Sequence, residues 1–198
     1  MTVASSQRTA LLAKHRYINT EYDKWWDCVE ADFIEDMKKV GIAVDRIYFS
    51  GFWSQGDGAC FVGSLDNALT YLDHHHQGQY PMIRKLLEHG GMVSAFSYSG
   101  HRYYHSRSAS ISVEADLLDA IIDCPTDFHL DVVEAWQREL DIEMADFEKD
   151  VTEQWRSYMD DLYRNLEKEY DYLTSDEAVW DTIEANELIE DVEEEEVQ

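Results

Sequence analysis

Several familiar chemistries are missing from this chain before any feature is found in it. There are three cysteines, Cys28, Cys60 and Cys124, in 198 residues. The count is odd and no CxxC pair occurs, which excludes a disulfide framework and points to reduced, buried thiols in a cytoplasm. No apolar run approaches the roughly 20 residues needed to cross a bilayer. The start, MTVASSQRTALLAKHR, lacks the long apolar core of a signal peptide and reads as a frayed segment or a short helix. The Gly-rich stretch SGFWSQGDGACF has neither the GxxxxGK[ST] of a phosphate loop nor the GxSxG of a nucleophile elbow. Asp57 between two glycines would repel a phosphate. His74-His75-His76, His101 and His105 have no matching pair of cysteine ligands, so no zinc site is expected. No catalytic residue, cofactor or metal is assigned.

Basic residues are also scarce, and unevenly so. The chain carries 42 acids and 16 bases, a formal net charge of -26. Residues 1–114 hold 13 acids and 11 bases; residues 115–198 hold 29 acids and 5 bases. A soluble surface needs charge but not charge of one sign. A field this one-sided costs self-repulsion, and its usual benefit is steering toward a cationic partner.

With 44% hydrophobic and 13% aromatic residues, the chain has ample material for a core. The length fits one domain plus an appendage. Tyr22, Trp25, Trp26, Val29, Phe33, Ile34 and Met37 recur at three and four, predicting a helix over 17–41 ended by Gly41. Residues 42–63 switch to β-branched and aromatic runs around Gly56-Asp57-Gly58, a hairpin with Phe49, Phe52, Trp53 and Phe61 packed on a helix. Two short helices follow at 64–73 and 80–89. Residues 92–113 read as a second hairpin turning at Ser99-Gly100-His101, with Tyr103, His105, Arg107, Ala109, Ile111 and Val113 on one face and serines on the other.

The last third has the clearest period. Val133, Trp136, Leu140, Met144, Phe147, Val151, Trp155, Tyr158, Leu162, Leu166 and Leu173 follow a 3, 4, 4 spacing, an eleven-residue repeat along one helix over 127–172. Thr174-Ser175-Asp176-Glu177 has capping-box form and starts a last helix, 176–190. The expected fold is therefore α+β: an antiparallel sheet of about four strands in two hairpins, packed with helices, plus a long acidic C-terminal helical region. The expected division is an N-terminal segment 1–16, an α+β module 17–114, an acidic helical region 115–190 and a disordered tail 191–198.

The candidate binding face is acidic: Asp131, Glu134, Asp141, Glu143, Asp146, Glu148, Asp150, Glu153, Asp160 and Asp161. Carboxylates every two to four residues on a helix stand roughly 3–6 Å apart along its axis, near the roughly 3.4 Å spacing of phosphates on one DNA strand. Such a helix suits a Lys/Arg groove built for phosphates. Trp25, Trp26, Phe49, Gly51, Phe52, Trp53, Gly56, Asp57 and Gly58 form the structural motif of the module. Tyr103, Tyr104 and Arg107 near His105 make a stacking surface, but the net charge argues against direct nucleic-acid binding.

Residues 23–65, DKWWDCVEADFIEDMKKVGIAVDRIYFSGFWSQGDGACFVGSL, resemble a family of small uncharacterised bacteriophage proteins carrying IYFSGFxSQGDGAxF, sometimes labelled antitoxin-like. The resemblance implies a phage origin and a host-cytoplasmic setting, and it carries no catalytic assignment. The long acidic extension departs from the short members of that family. Together these readings predict a non-enzymatic acidic inhibitor of a host nucleic-acid-binding defence system, a CRISPR effector or a restriction enzyme, acting as a DNA mimic. An antitoxin-like or regulatory protein that neutralises one basic partner through fold-specific contacts is the alternative. Neither nucleic acid nor a membrane is an expected partner; a homodimer through the apolar stripe is.

Overall fold

The computed structural model describes residues 5–21, 24–99, 103–116 and 130–189, with backbone only for 130–135. It forms two compact units: Ala31–Tyr163, and Met1–Glu30 with Arg164–Gln198. The described elements are α1 (Ser5–Lys14), α2 (Asp27–Lys39), β1 (Ile42–Phe49), β2 (Ala59–Leu65), α3 (Ala68–His75), α4 (Pro81–Glu88), β3 (Met92–Tyr98), a 3-10 turn at Ser106–Ser108, β4 (Ser110–Asp116), α5 (Leu130–Leu173) and α6 (Asp176–Ala185). The class is α+β, with one four-stranded antiparallel sheet in the order β1-β2-β3-β4.

In the larger unit the sheet presents one buried face to helices. Phe61 on β2 is fully buried and its ring lies 5.7 Å from Phe33 of α2 and 5.5 Å from Trp155 of α5. Ile42, Leu65, Val93 and Ala95 complete this layer. α5 is one unbroken helix of 44 residues. Its expected stripe is the buried face: Leu140, Phe147, Val151, Trp155, Leu162 and Leu166 are all 4% exposed or less, with Met159 beside them. Val133 lies outside the side chains described.

Gly41 marks the turn from α2 into β1. Its φ of +83° favours glycine, and a Cβ there would meet the carbonyl oxygen of Asn67 at 2.4 Å. That approach lets the Gly41 carbonyl accept from the backbone N–H groups of Asp66 and Asn67. The Asn67 side chain in turn accepts from Thr70 N and caps α3.

Three expectations need correction. The helix expected over 17–41 is shorter: α2 covers Asp27–Lys39, with turns at 15–20 and 24–26 before it; Phe33 and Met37 are buried, while Ile34 is exposed. In the second hairpin Tyr98 pairs with Ser110, so residues 103–109 are not part of the strand as expected; Gly100 and His101 of the expected turn lie outside the described residues. Residues 103–109 instead turn back over the β1–β2 loop, so Tyr103, His105 and Arg107 do not share a strand face with Ile111 and Val113. The cause is tertiary: the Tyr104 ring stacks on Tyr48 at 5.3 Å, and Ser108 Oγ sits within hydrogen-bond reach of the carbonyls of Tyr103 and His105. Finally, Cys28 is exposed, not buried. Cys60 is buried and its thiol is pushed up to about 11 by that burial.

In the smaller unit, α1 and α6 bury Leu11, Leu12, Val179 and Ile183 against one another. Arg16 donates to the Thr174 carbonyl and to Asp176, and Ser175 caps α6 by accepting from Ala178 N. The Trp25 ring meets Trp26 and Tyr170, each at 5.6 Å. The predicted end of the last helix, 190, falls outside the described residues, and the described helix ends at Ala185.

Candidate functional site

The acids of α5 divide once their surroundings are known. Glu143 is half-buried, and its Oε2 accepts from the backbone N–H groups of Met82 (2.8 Å) and Ile83 (3.1 Å). It caps the first turn of α4, whose own preceding residue, Tyr80, offers no side-chain cap. Asp150 accepts from the Tyr80 hydroxyl at 2.5 Å. Tyr80 has φ +56°, in the left-handed region that costs a bulky residue, and it precedes Pro81, which disfavours helical backbone before it. The two carboxylates of α5 thus hold an otherwise awkward helix start. Lys85 adds to this clamp with its ammonium 3.7 Å from the centre of the Trp136 ring.

Asp141, Asp146, Glu148, Glu153, Asp160 and Asp161 are exposed on the same helix. Asp141 accepts from Gln137 one turn earlier. The structure adds Glu139, also exposed, which the sequence reading passed over. Glu139, Asp146, Glu153 and Asp160 are spaced by seven, so they form one line of carboxylates about 10 Å apart that drifts only slightly around the helix. Lys149 and Arg156 stand in adjoining three- and four-residue positions, so bases run beside this line. Asp131 and Glu134 lie outside the side chains described.

Beside Asp150, midway along α5, is a knot of polar aromatic groups. His75 Nε2 lies 2.6 Å from the Tyr158 hydroxyl, and the His75 ring is 4.7 Å from Tyr71. Desolvation, with smaller contributions from His74 and His76, lowers His75 to about 4, so its imidazole is neutral at pH 7. Burial raises Tyr71, Tyr80 and Tyr158 above the ordinary phenol value, with the Asp150 hydrogen bond a second cause for Tyr80. These phenols stay protonated, and Tyr80 donates to Asp150. His76 Nδ1 faces Gln79 Oε1 at 3.3 Å and Asp150 at 3.9 Å. His101 lies outside the described residues. Among the described residues no three His, Cys, Asp or Glu side chains are grouped to hold a metal.

The β1–β2 loop is the other feature of note. Ser50 N donates to the Gly58 carbonyl, and Asp57 N to the Ser54 carbonyl. The Asp57 carboxylate accepts from Trp53 N (3.1 Å) and Ser54 N (2.7 Å). This answers what the acid between two glycines does: it ties the loop to itself. At Gly58 a Cβ would come within 2.5 Å of the His105 backbone, so only glycine allows the 103–109 segment to close over the loop. Tyr163 on α5 donates to the Gly51 carbonyl at 3.1 Å, and its ring lies 5.6 Å from Phe52. Phe52 stacks on Phe49 at 6.3 Å and meets Trp53 edge-on at 6.0 Å. Phe52 therefore packs on a helix as expected. Trp53 does not; it is 74% exposed.

No helix among the described residues is long and apolar enough to cross a membrane. No curated protein matches the chain, and no solved structure matches it. A family model does, over residues 25–176, which take in the aromatic loop, the sheet and all of α5; the chain belongs to the family described as Domain of unknown function (DUF8835).

Proposed function

We propose that this chain is a non-catalytic acidic inhibitor that occupies the basic groove of a nucleic-acid-binding protein. The target class is a host defence enzyme, a CRISPR effector or a restriction enzyme, and the protein acts there as a DNA mimic in a phage-infected cell. The observation that carries the reading is the line Glu139, Asp146, Glu153 and Asp160, exposed along a helix whose opposite face is fully occupied by the core. Folding uses Glu143 and Asp150 and leaves these four on the surface.

Magnitude limits the mimicry. α5 contains fourteen acids and five bases over about 66 Å of axis, roughly one net charge per 7 Å. Duplex DNA carries one per about 1.7 Å. The helix alone has about a quarter of the duplex's charge density, so shape and specific contacts must supply the remainder.

Capture of partners by the tagged protein, eluted with a salt gradient, tests this. A nucleic-acid-binding complex that elutes at moderate salt and is displaced by duplex DNA supports it. Neutralising the line (E139Q, D146N, E153Q, D160N) would then abolish capture while circular dichroism stays unchanged. A single partner retained at high salt, indifferent to DNA and to the neutralised line, refutes it and leaves the antitoxin-like reading.

A further inference from the structure

The exposed Trp53 is held as an anchor. The Asp57 carboxylate fixes its backbone N–H, Phe52 braces its ring, and Tyr163 of α5 fixes the Gly51 carbonyl two residues earlier. Gly56, at φ +99°, and Gly58, against the His105 backbone, let the loop take the closed form in which these contacts are made. A large ring presented without conformational freedom is what binding hot spots use, because little ordering cost remains on association. Tyr103, 45% exposed and with its ring atoms 3.3 Å from a Cβ position at Gly56, extends the patch.

The charge next to this patch decides what it fits. Asp160 precedes Tyr163 by three residues, so it occupies an adjoining position on the helix surface and ends the carboxylate line beside the loop. A carboxylate one turn from the helix residue that holds the loop, together with an exposed indole on that loop, complements a guanidinium, which can stack on a ring and pair with an acid; a lysine ammonium is more strongly hydrated and does both less well.

We propose that the Trp53 loop and the stretch of α5 around Asp160 form one docking surface for an arginine-bearing segment of a basic partner protein, with the guanidinium laid on Trp53. This rests on the electrostatic reading above and deepens it: the acidic line attracts any polycation, and Trp53 selects arginine.

The probes are a nona-arginine and a nona-lysine peptide of matched length, titrated against the full chain by fluorescence anisotropy at two salt concentrations. The wild type is expected to favour nona-arginine by about two- to five-fold, and Trp53→Ala to bring that ratio to one without changing the salt slope. Trp53→Phe is expected to fall between. Neutralising Asp146 and Glu153 should weaken both peptides alike and leave the ratio intact. An arginine preference that Trp53→Ala does not alter, or a wild-type ratio of one, overturns the Trp53 assignment and leaves the acidic line standing. If neither peptide binds at low salt, both this inference and the electrostatic reading beneath it fall.

Discussion

Asp146 lies between Glu143 and Asp150 on α5, three residues after one and four before the other, yet the three carboxylates do different things. Glu143 receives two backbone N–H groups of α4, and Asp150 receives the Tyr80 hydroxyl. Asp146 faces solvent. The same contrast runs along the helix between its stripe, buried to Leu166, and its line of exposed acids. Positions that serve the fold are spread around about half of the helix, and four of the acids left over, Glu139, Asp146, Glu153 and Asp160, repeat every seven residues. An acidic helix is thus two surfaces on one element, and only the outward one is available to a partner.

Replacing Trp155 by alanine gives the largest expected effect and sets the scale for the inward face. The ring is fully buried against Phe61, so truncation leaves a cavity and should cost about 3–5 kcal/mol, read by chemical denaturation. A cost near 1 kcal/mol would mean that α5 packs on the sheet far more loosely than its burial implies.

Acidification probes the knot beside Asp150. His75 is held neutral with a value near 4, below the usual 6.5, while an unfolded chain binds its proton from about 6.5 downward. Its contribution to stability is complete above pH 6.5, falls as pH drops from 6.5 toward 4, and is gone below. The groups facing it are His74, His76, Tyr71 and Tyr158, with Asp150 beside His76. After the screening that its partial exposure allows, the effect is about 1–2 kcal/mol. Subtracting the pH profile of His75→Gln from that of the wild type isolates it from the carboxylates, which titrate in the same range. Parallel profiles would show that His75 is not held neutral by its surroundings.

The inward acids come next. Glu143→Ala removes the cap of α4 and should cost about 1 kcal/mol, within the 0.5–2 kcal/mol span of cap losses. Glu143→Gln keeps an acceptor for Met82 and Ile83 and should cost less. If both substitutions are neutral in thermal denaturation, the division between inward and outward acids fails at its best-defined member.

Much of this was legible in the sequence because it is periodic. The stripe from Leu140 to Leu166 and the hairpin around Gly56-Asp57-Gly58 follow from spacing alone. What was not legible is tertiary. Glu143 meets Met82 across some sixty residues, and no local pattern marks it as a cap. Residues 103–109 leave the strand pattern because Gly58 admits the His105 backbone, a contact that neither segment announces. Trp53 read as core because aromatic residues surround it in sequence; its exposure depends on the Asp57 carboxylate turning inward to the loop. Acid density along the sequence does not mark Glu139; the seven-residue interval of the exposed line does.

The outward acids should have the smallest effect on stability, and its sign carries information. Asp146→Asn and Glu153→Gln each remove one charge from a chain of net charge -26. Neither residue supports a buried contact, so each substitution should stay within about 0.5 kcal/mol of wild type. Relief of self-repulsion makes the expected sign stabilising. Salt screens the same repulsion, so the gain should be visible at low ionic strength and vanish at high. Denaturant titrations of the double variant at two salt concentrations read this directly. Destabilisation at low salt would mean that Lys149 and Arg156 beside the line pair with these acids and that the line is a solvated ion-pair face. Stabilisation that salt abolishes would mean that the fold carries these carboxylates at a cost, and a cost retained without structural return is what a binding surface looks like.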